Sequence, residues 1–122
     1  MLSVGDPLRQ RLDVPECMRL LGTTGIGRLG FSQAALPALQ PVTYRLGDGG
    51  VLIPVTPASR TASAIRDGIV VLGVDSFGTG QPEWWAVNVV GPIRLVDATS
   101  LLLEPVLVTG WRRAAPVCDS AR

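Results

Sequence analysis

The chain has no histidine and no lysine; all eleven of its cations are arginine. Without histidine it cannot assemble Ser-His-Asp or Cys-His machinery, and it lacks the commonest metal ligand. Without lysine it can form neither a Schiff base nor a P-loop phosphate grip. The two cysteines, Cys17 and Cys118, lie far apart in the sequence, which argues against a disulfide framework or a zinc site. Cys17 reads as a small buried residue on a helix. Net charge is only +1, so neither a basic field for nucleic acid nor an acidic tail is present. No apolar run approaches the roughly 20 residues needed to span a bilayer. The first residues lack the basic patch and long apolar core of a signal peptide. The expectation is a cytoplasmic protein with no membrane and no nucleic-acid partner. Chemistry that needs acid-base side chains is disfavoured, so any reaction would be carried by a cofactor.

What remains is an apolar chain of 122 residues, 47% of them hydrophobic, enough for one core. Residues 1–12 read as a loose arm, 13–112 as a single domain and 113–122 as a mobile tail. Asp13-Val14-Pro15-Glu16 resembles a helix start, with Asp13 as cap, Pro15 in the first turn and Glu16 at the capping-box position. Cys17, Leu20 and Leu21 give this helix one apolar side, and Gly22 and Gly25 end it. Ile26 to Ser32 alternates as a first strand, with Leu29 and Phe31 on one side and Arg28 on the other. Leu36 to Leu46 and Val51 onward read as a hairpin about Gly47-Asp48-Gly49-Gly50, since glycine takes positive φ without steric cost. Pro41 and Pro54 cannot donate to a ladder, so these strands should be edge-like or irregular there.

Thr61 to Asp67 fits a second short helix closed by Gly68. Three further strands follow: Ile69 to Val74, Trp84 to Val96 with a break at Gly91-Pro92, and Leu101 to Arg112 with an interruption at Glu104-Pro105. About six strands, two short helices and no βαβ alternation predict a mainly β, antiparallel barrel. The segment Thr56-Pro57-Ala58-Ser59-Arg60 offers hydroxyls and a guanidinium at the mouth of the second helix, a cradle suited to a phosphorylated ligand. A capped helix beside a solvated arginine is the plainer account of the same residues. Tyr44, the only tyrosine, is a candidate proton donor, with packing as the favoured alternative.

Glu16-Cys17-Met18-Arg19-Leu20-Leu21, Ile26-Gly27-Arg28-Leu29-Gly30-Phe31, Ala35 through Tyr44 and Pro57-Ala58-Ser59-Arg60 occur in one order and spacing. Together they resemble the pyridoxamine 5′-phosphate oxidase-like flavin-binding split β-barrels, in particular the small nitroimidazole-reductase-like members. The resemblance runs from about Leu12 to Trp111. It implies a six-stranded antiparallel split barrel and a homodimer holding FMN, or a deazaflavin, between subunits. By the same resemblance Ser59 takes the phosphate-binding hydroxyl position and Arg60 replaces the usual lysine. Val55 stands at the strand end where a threonine is usual, with Thr56 a further candidate beside it, and Ala58 stands where glycine is common. Gln40 stands where an arginine or histidine is frequent. Pro41, Val42 and Thr43 would lie beside the ring, and Trp85 near the partner-related pocket. The connection Asp97-Ala98-Thr99-Ser100 is shorter than the helix and loop usual there.

Three functions follow from this resemblance: a flavin-dependent oxidoreductase, a non-catalytic flavin or deazaflavin binder, and a dimeric barrel that binds no flavin.

Overall fold

A computed structural model describes residues 7–56 and 68–116. The helix expected over 61–67, the pair Ser59 and Arg60 expected to bind phosphate, and Cys118 lie outside the described residues.

The first helix, α1, spans Val14–Leu21. The Asp13 carboxylate accepts a hydrogen bond from the Glu16 N–H at 2.9 Å, satisfying one of the orphan donors of the first turn. Glu16 does not reach back to close a capping box. Its carboxylate instead accepts two hydrogen bonds from Arg19, at 2.8 and 2.6 Å. Cys17, Leu20 and Leu21 are buried, as the apolar spacing requires. Cys17 lies against Gly110, where an added Cβ would stand 2.6 Å from its sulfur, so that position has room only for glycine.

Nine antiparallel strands are present among the described residues, where about six were expected. They are β1 (Gln10–Arg11), β2 (Ile26–Gln33), β3 (Leu36–Thr43), β4 (Arg45–Gly47), β5 (Gly50–Pro54), β6 (Ile69–Asp75), β7 (Glu83–Asp97), β8 (Ser100–Leu103) and β9 (Leu107–Ala114). Three departures account for the difference. The Leu36 to Leu46 run divides at Tyr44: β3 pairs with β2, whereas β4 forms the tight hairpin with β5. The last segment divides into β8 and β9, which flank different stretches of β7. Gln10 and Arg11, expected in a loose arm, pair with Arg112 and Trp111. Similarly, β9 extends into the expected tail, with Ala114 opposite Glu83.

The strand order is β3-β2-β6-β7-β8-β5-β4, with β9 and then β1 beside the first half of β7. The sheet curls until β3 comes against β5, giving a barrel split between two strands, β3 and β4, that are consecutive in the chain. Strand β7 does not break at Gly91-Pro92. Pro92 is the last partner of β6, and β8 begins alongside Ile93, so the strand changes neighbours while remaining continuous. The link after β8 crosses it there: the Glu104 N–H donates to the Pro92 carbonyl and the Val106 N–H to the Val90 carbonyl, both at 3.0 Å. A Cβ at Gly91 would collide with the Glu104 carbonyl, which is why only glycine serves.

One side of β2, β5, β6, β7 and β8 fills the interior. Leu29, Val51, Ile53, Leu72, Val87, Val89, Leu101 and Leu103 are fully buried, each such side chain stabilising the fold by about 1.5–3 kcal/mol. The edge position of β3 follows from its prolines. The Tyr44 N–H donates to the Gly25 carbonyl, so even-numbered residues of this segment face β2, and Pro37, Leu39, Pro41 and Thr43 direct their backbone outward. Neither proline therefore removes a ladder bond, and together they strip two donors from the exposed edge.

The β2-β3 turn is made by Ala34 and Ala35, at φ of 52° and 66°. A two-residue hairpin with positive φ at both positions favours Asn-Gly, and an L-residue with a Cβ loses about 1 kcal/mol there. The double variant A34N/A35G is expected to be more stable by about 1 kcal/mol, read as a higher midpoint in urea with an unchanged slope.

Candidate functional site

The split in the barrel is set by Tyr44. Its side chain is buried, and its hydroxyl donates to the Leu21 carbonyl at the end of α1 at 2.6 Å. Its backbone N–H is held by Gly25. Anchored inward at both points, Tyr44 turns its two neighbours outward, Thr43 at the end of β3 and Arg45 at the start of β4. Burial pushes the phenol up to about 12. A hydroxyl that is both committed to a carbonyl and this weakly acidic is a structural pin, not a proton donor.

Around this point lies a cavity of about 380 Å³. Thr43, Tyr44 and Arg45 form one wall, Leu52, Pro54 and Val55 of the β5 segment a second, and Thr99 and Ser100 a third. The last two walls are tied together by the Val55 N–H donating to the Thr99 carbonyl at 2.9 Å. The Asp97 carboxylate accepts from the Thr99 N–H at 2.8 Å and from the Thr99 hydroxyl at 3.0 Å, which keeps the short β7-β8 turn tight. These bonds hold the Asp97 carboxyl below its ordinary range. Arg45 is exposed and in no ion pair among the described residues. The notch therefore combines an uncommitted cation, an outward-facing strand edge at Thr43 and an apolar wall.

A second concavity lies on the outer face of the larger sheet. Two adjoining hollows of about 300 and 260 Å³ share Arg28, Gly73, Asp75 and Phe77. Arg28 stands 3.8 Å from Asp75 across β2 and β6. One end is aromatic: Phe77 lies 4.8 Å from Trp84 and 5.8 Å from Trp111, ring centre to ring centre, and the Arg9 guanidinium sits over Trp111 at 4.6 Å.

The site residues expected from sequence divide between these places. Thr43 and Val55 line the notch, and Thr56 follows as an exposed residue. Pro41 lines the outer groove. Val42 packs against the core, while Gln40 is exposed on β3 opposite Leu29; neither borders the notch. Trp85 needs a correction. Strand alternation turns it into the core, only 8% exposed, and the tryptophan open to the surface is Trp84. Arg45, Leu52, Thr99 and Ser100 were missed, because β5 meets β8 only through a pairing distant in sequence. No cluster of His, Cys, Asp and Glu able to hold a metal occurs among the described residues. No helix among them is long and apolar enough to cross a membrane.

The family model for pyridoxamine 5′-phosphate oxidase matches residues 13–117. The chain belongs to the pyridoxamine 5′-phosphate oxidase family. An uncharacterised protein of Mycobacterium tuberculosis is 28% identical over 129 aligned positions, covering 85% of each chain. Among solved structures, an FAD-binding protein from Mycobacterium smegmatis superposes with a TM-score of 0.77 at 22% identity, over 85% of this chain and 97% of its own. An FAD-binding protein from Mesorhizobium loti gives 0.75 at 20% identity, over 88% and 98%. At these identities the likeness establishes the fold, an antiparallel split barrel shared across the family.

The pinning role of Tyr44 has a measurable consequence. Tyr44→Phe is expected to lose about 1–2 kcal/mol, the worth of a buried hydrogen bond whose acceptor is left unpaired. The folded-state pKa is raised to about 12 from 10.0, so the native state holds the phenolic proton more tightly than the unfolded chain. That contribution is complete below about pH 10 and is lost as pH rises toward 12. Denaturation curves between pH 8 and 12 should show this decline in the parent protein and less of it in Tyr44→Phe.

Proposed function

We propose that this protein is a flavin-binding oxidoreductase, working as a cytoplasmic homodimer that holds FMN, or a deazaflavin coenzyme, at the split of its barrel. The observation that carries this reading is the notch, where the Arg45 guanidinium, the free edge of Thr43 and the apolar wall of Leu52, Pro54 and Val55 converge. Family membership supports it, as do the two bacterial neighbours described as FAD-binding. The residues fit such a ligand. A planar ring with polar edges needs an apolar surface and backbone donors or acceptors, and a phosphate needs a cation. Thr43 would supply the backbone groups, Arg45 a cation, and Val55, followed by Thr56, part of the wall; the phosphate role of Ser59 and Arg60, which lie outside the described residues, rests on the sequence resemblance alone.

A bound flavin supplies hydride acceptance and donation. The chain's part is to orient the ring, exclude water from one face and neutralise phosphate charge. Proton delivery from the described walls is not part of this reading: Tyr44 is pinned, and arginine does not deprotonate in this setting. That same lack of an acid-base group favours a second reading, flavin binding without turnover. Reduction by a nicotinamide cofactor separates the two.

The dimer reading rests on the outer face of the larger sheet. Ile26 and Leu39 are 67% and 68% exposed there, beside Phe77 and the half-buried Val71 and Val90. An apolar sheet face of this breadth calls for a partner surface, and a two-fold copy supplies a self-complementary one.

The decisive measurement is the visible spectrum of the purified protein, alone and after addition of FMN or deazaflavin coenzyme. A perturbed flavin band that follows the protein through gel filtration is expected. A protein that retains neither cofactor overturns the reading. Light scattering should give twice the chain mass. Leu39→Glu, on an exposed edge strand, should yield a folded monomer; a parent protein that is already monomeric removes the dimer.

A further inference from the structure

The smaller half of the barrel carries a charged row of which the flavin reading uses only the Arg45 end. Arg45 pairs in register with Leu52, Leu52 with Leu102, and Leu102 with Arg94. Directly opposed residues of antiparallel strands project to the same side, so these four form one line across β4, β5, β8 and β7. The two leucines are half-buried and the two arginines exposed. Three strand spacings separate the arginine backbones, roughly 14 Å.

Across the Leu52–Leu102 pair from the notch lies a second cavity, of about 240 Å³. That second cavity is lined by Pro92, Ile93, Arg94, Leu102 and Glu104. The two hollows thus flank an apolar saddle, with an arginine at each end of the row. Neither arginine forms an ion pair among the described residues. Two carboxylates lie nearby, and neither neutralises them. Glu104 borders the far cavity without reaching Arg94 within salt-bridge distance, and Asp97 is turned onto Thr99.

We propose that the cofactor site extends across this saddle and that Arg94 holds a second anionic group of the cofactor, beyond the phosphate nearest the flavin. The inference rests on the flavin-binding reading and deepens it. A monophosphate satisfies one guanidinium and leaves its opposite number empty. A ligand with a diphosphate, or with a phosphate followed by carboxylates, engages both arginines across the leucine saddle, and guanidinium forks suit either anion. The chemistry is therefore an extended polyanionic flavin. Its two sources are a flavin dinucleotide and a deazaflavin with an acidic tail.

Titrations of FMN, FAD and a deazaflavin coenzyme against the parent protein, Arg94→Gln and Arg45→Gln test it. Arg94→Gln is expected to leave the FMN dissociation constant within about twofold while weakening an extended cofactor by roughly tenfold or more, the worth of one charge-assisted hydrogen bond. Loss confined to FAD identifies the dinucleotide, and loss confined to the deazaflavin identifies the acidic tail. Arg45→Gln should weaken all of those that bind. Circular dichroism and the melting temperature of Arg94→Gln should match the parent, since the side chain is exposed. Two results overturn the inference alone: flavins bound with no effect of Arg94→Gln, or FMN weakened as much as its extended relatives. A parent protein that binds none of the three overturns the flavin reading together with it.

Discussion

The hydrogen bond from the Tyr44 hydroxyl to the Leu21 carbonyl governs more of this structure than its length of 2.6 Å suggests. It ties the end of α1 to the one residue between β3 and β4. Without that anchor nothing obliges the chain to leave one edge of the sheet and begin the other. Because Tyr44 must point inward, Thr43 and Arg45 point outward, and the split acquires both a free strand edge and a cation. A packing constraint thereby creates the polar half of the notch. The aromatic ring supplies apolar burial, while the hydroxyl finds a partner that keeps that burial from costing an unpaired polar group.

The opposite half depends on β7. A single strand of 15 residues serves both parts of the barrel, beside β6 and β9 first and β8 afterwards. The change of neighbour occurs where Gly91 lets the Glu104 link cross and Pro92 ends the first pairing. Continuity through this point fixes the position of the tight Asp97–Ser100 turn and, with it, the wall formed by Thr99 and Ser100. A helix inserted in that connection would alter that wall.

Charge is placed with similar economy. Every cation is arginine, and several of them have distinct surroundings. Arg19 is bound by Glu16, Arg28 stands near Asp75, and Arg9 lies over Trp111. Arg45 and Arg94, at the two ends of one cross-strand row, have no such ion pair among the described residues. A guanidinium remains charged in any of these settings. What differs between them is whether a partner within the protein has already claimed it.

Local features were legible in the sequence because local physics decides them. The Asp13 cap, the apolar side of α1, the alternation of β2 and the turn at Gly49, with φ of 85°, each depend on residues a few positions apart. The ordered motifs from Glu16 to Arg60 carried the family, and the prolines of β3 announced an edge. The sequence could not reveal that Leu36 to Leu46 is two strands, since the break at Tyr44 depends on a carbonyl 23 positions away. Nor could it decide which of Trp84 and Trp85 faces the core, because alternation leaves both phases open until neighbours are placed. The membership of the notch and the Arg45–Arg94 row arise from pairings between β4, β5, β8 and β7, strands brought together only by the closure of the barrel. Register across distant strands is a property of the folded sheet, and there the tertiary structure alone decided.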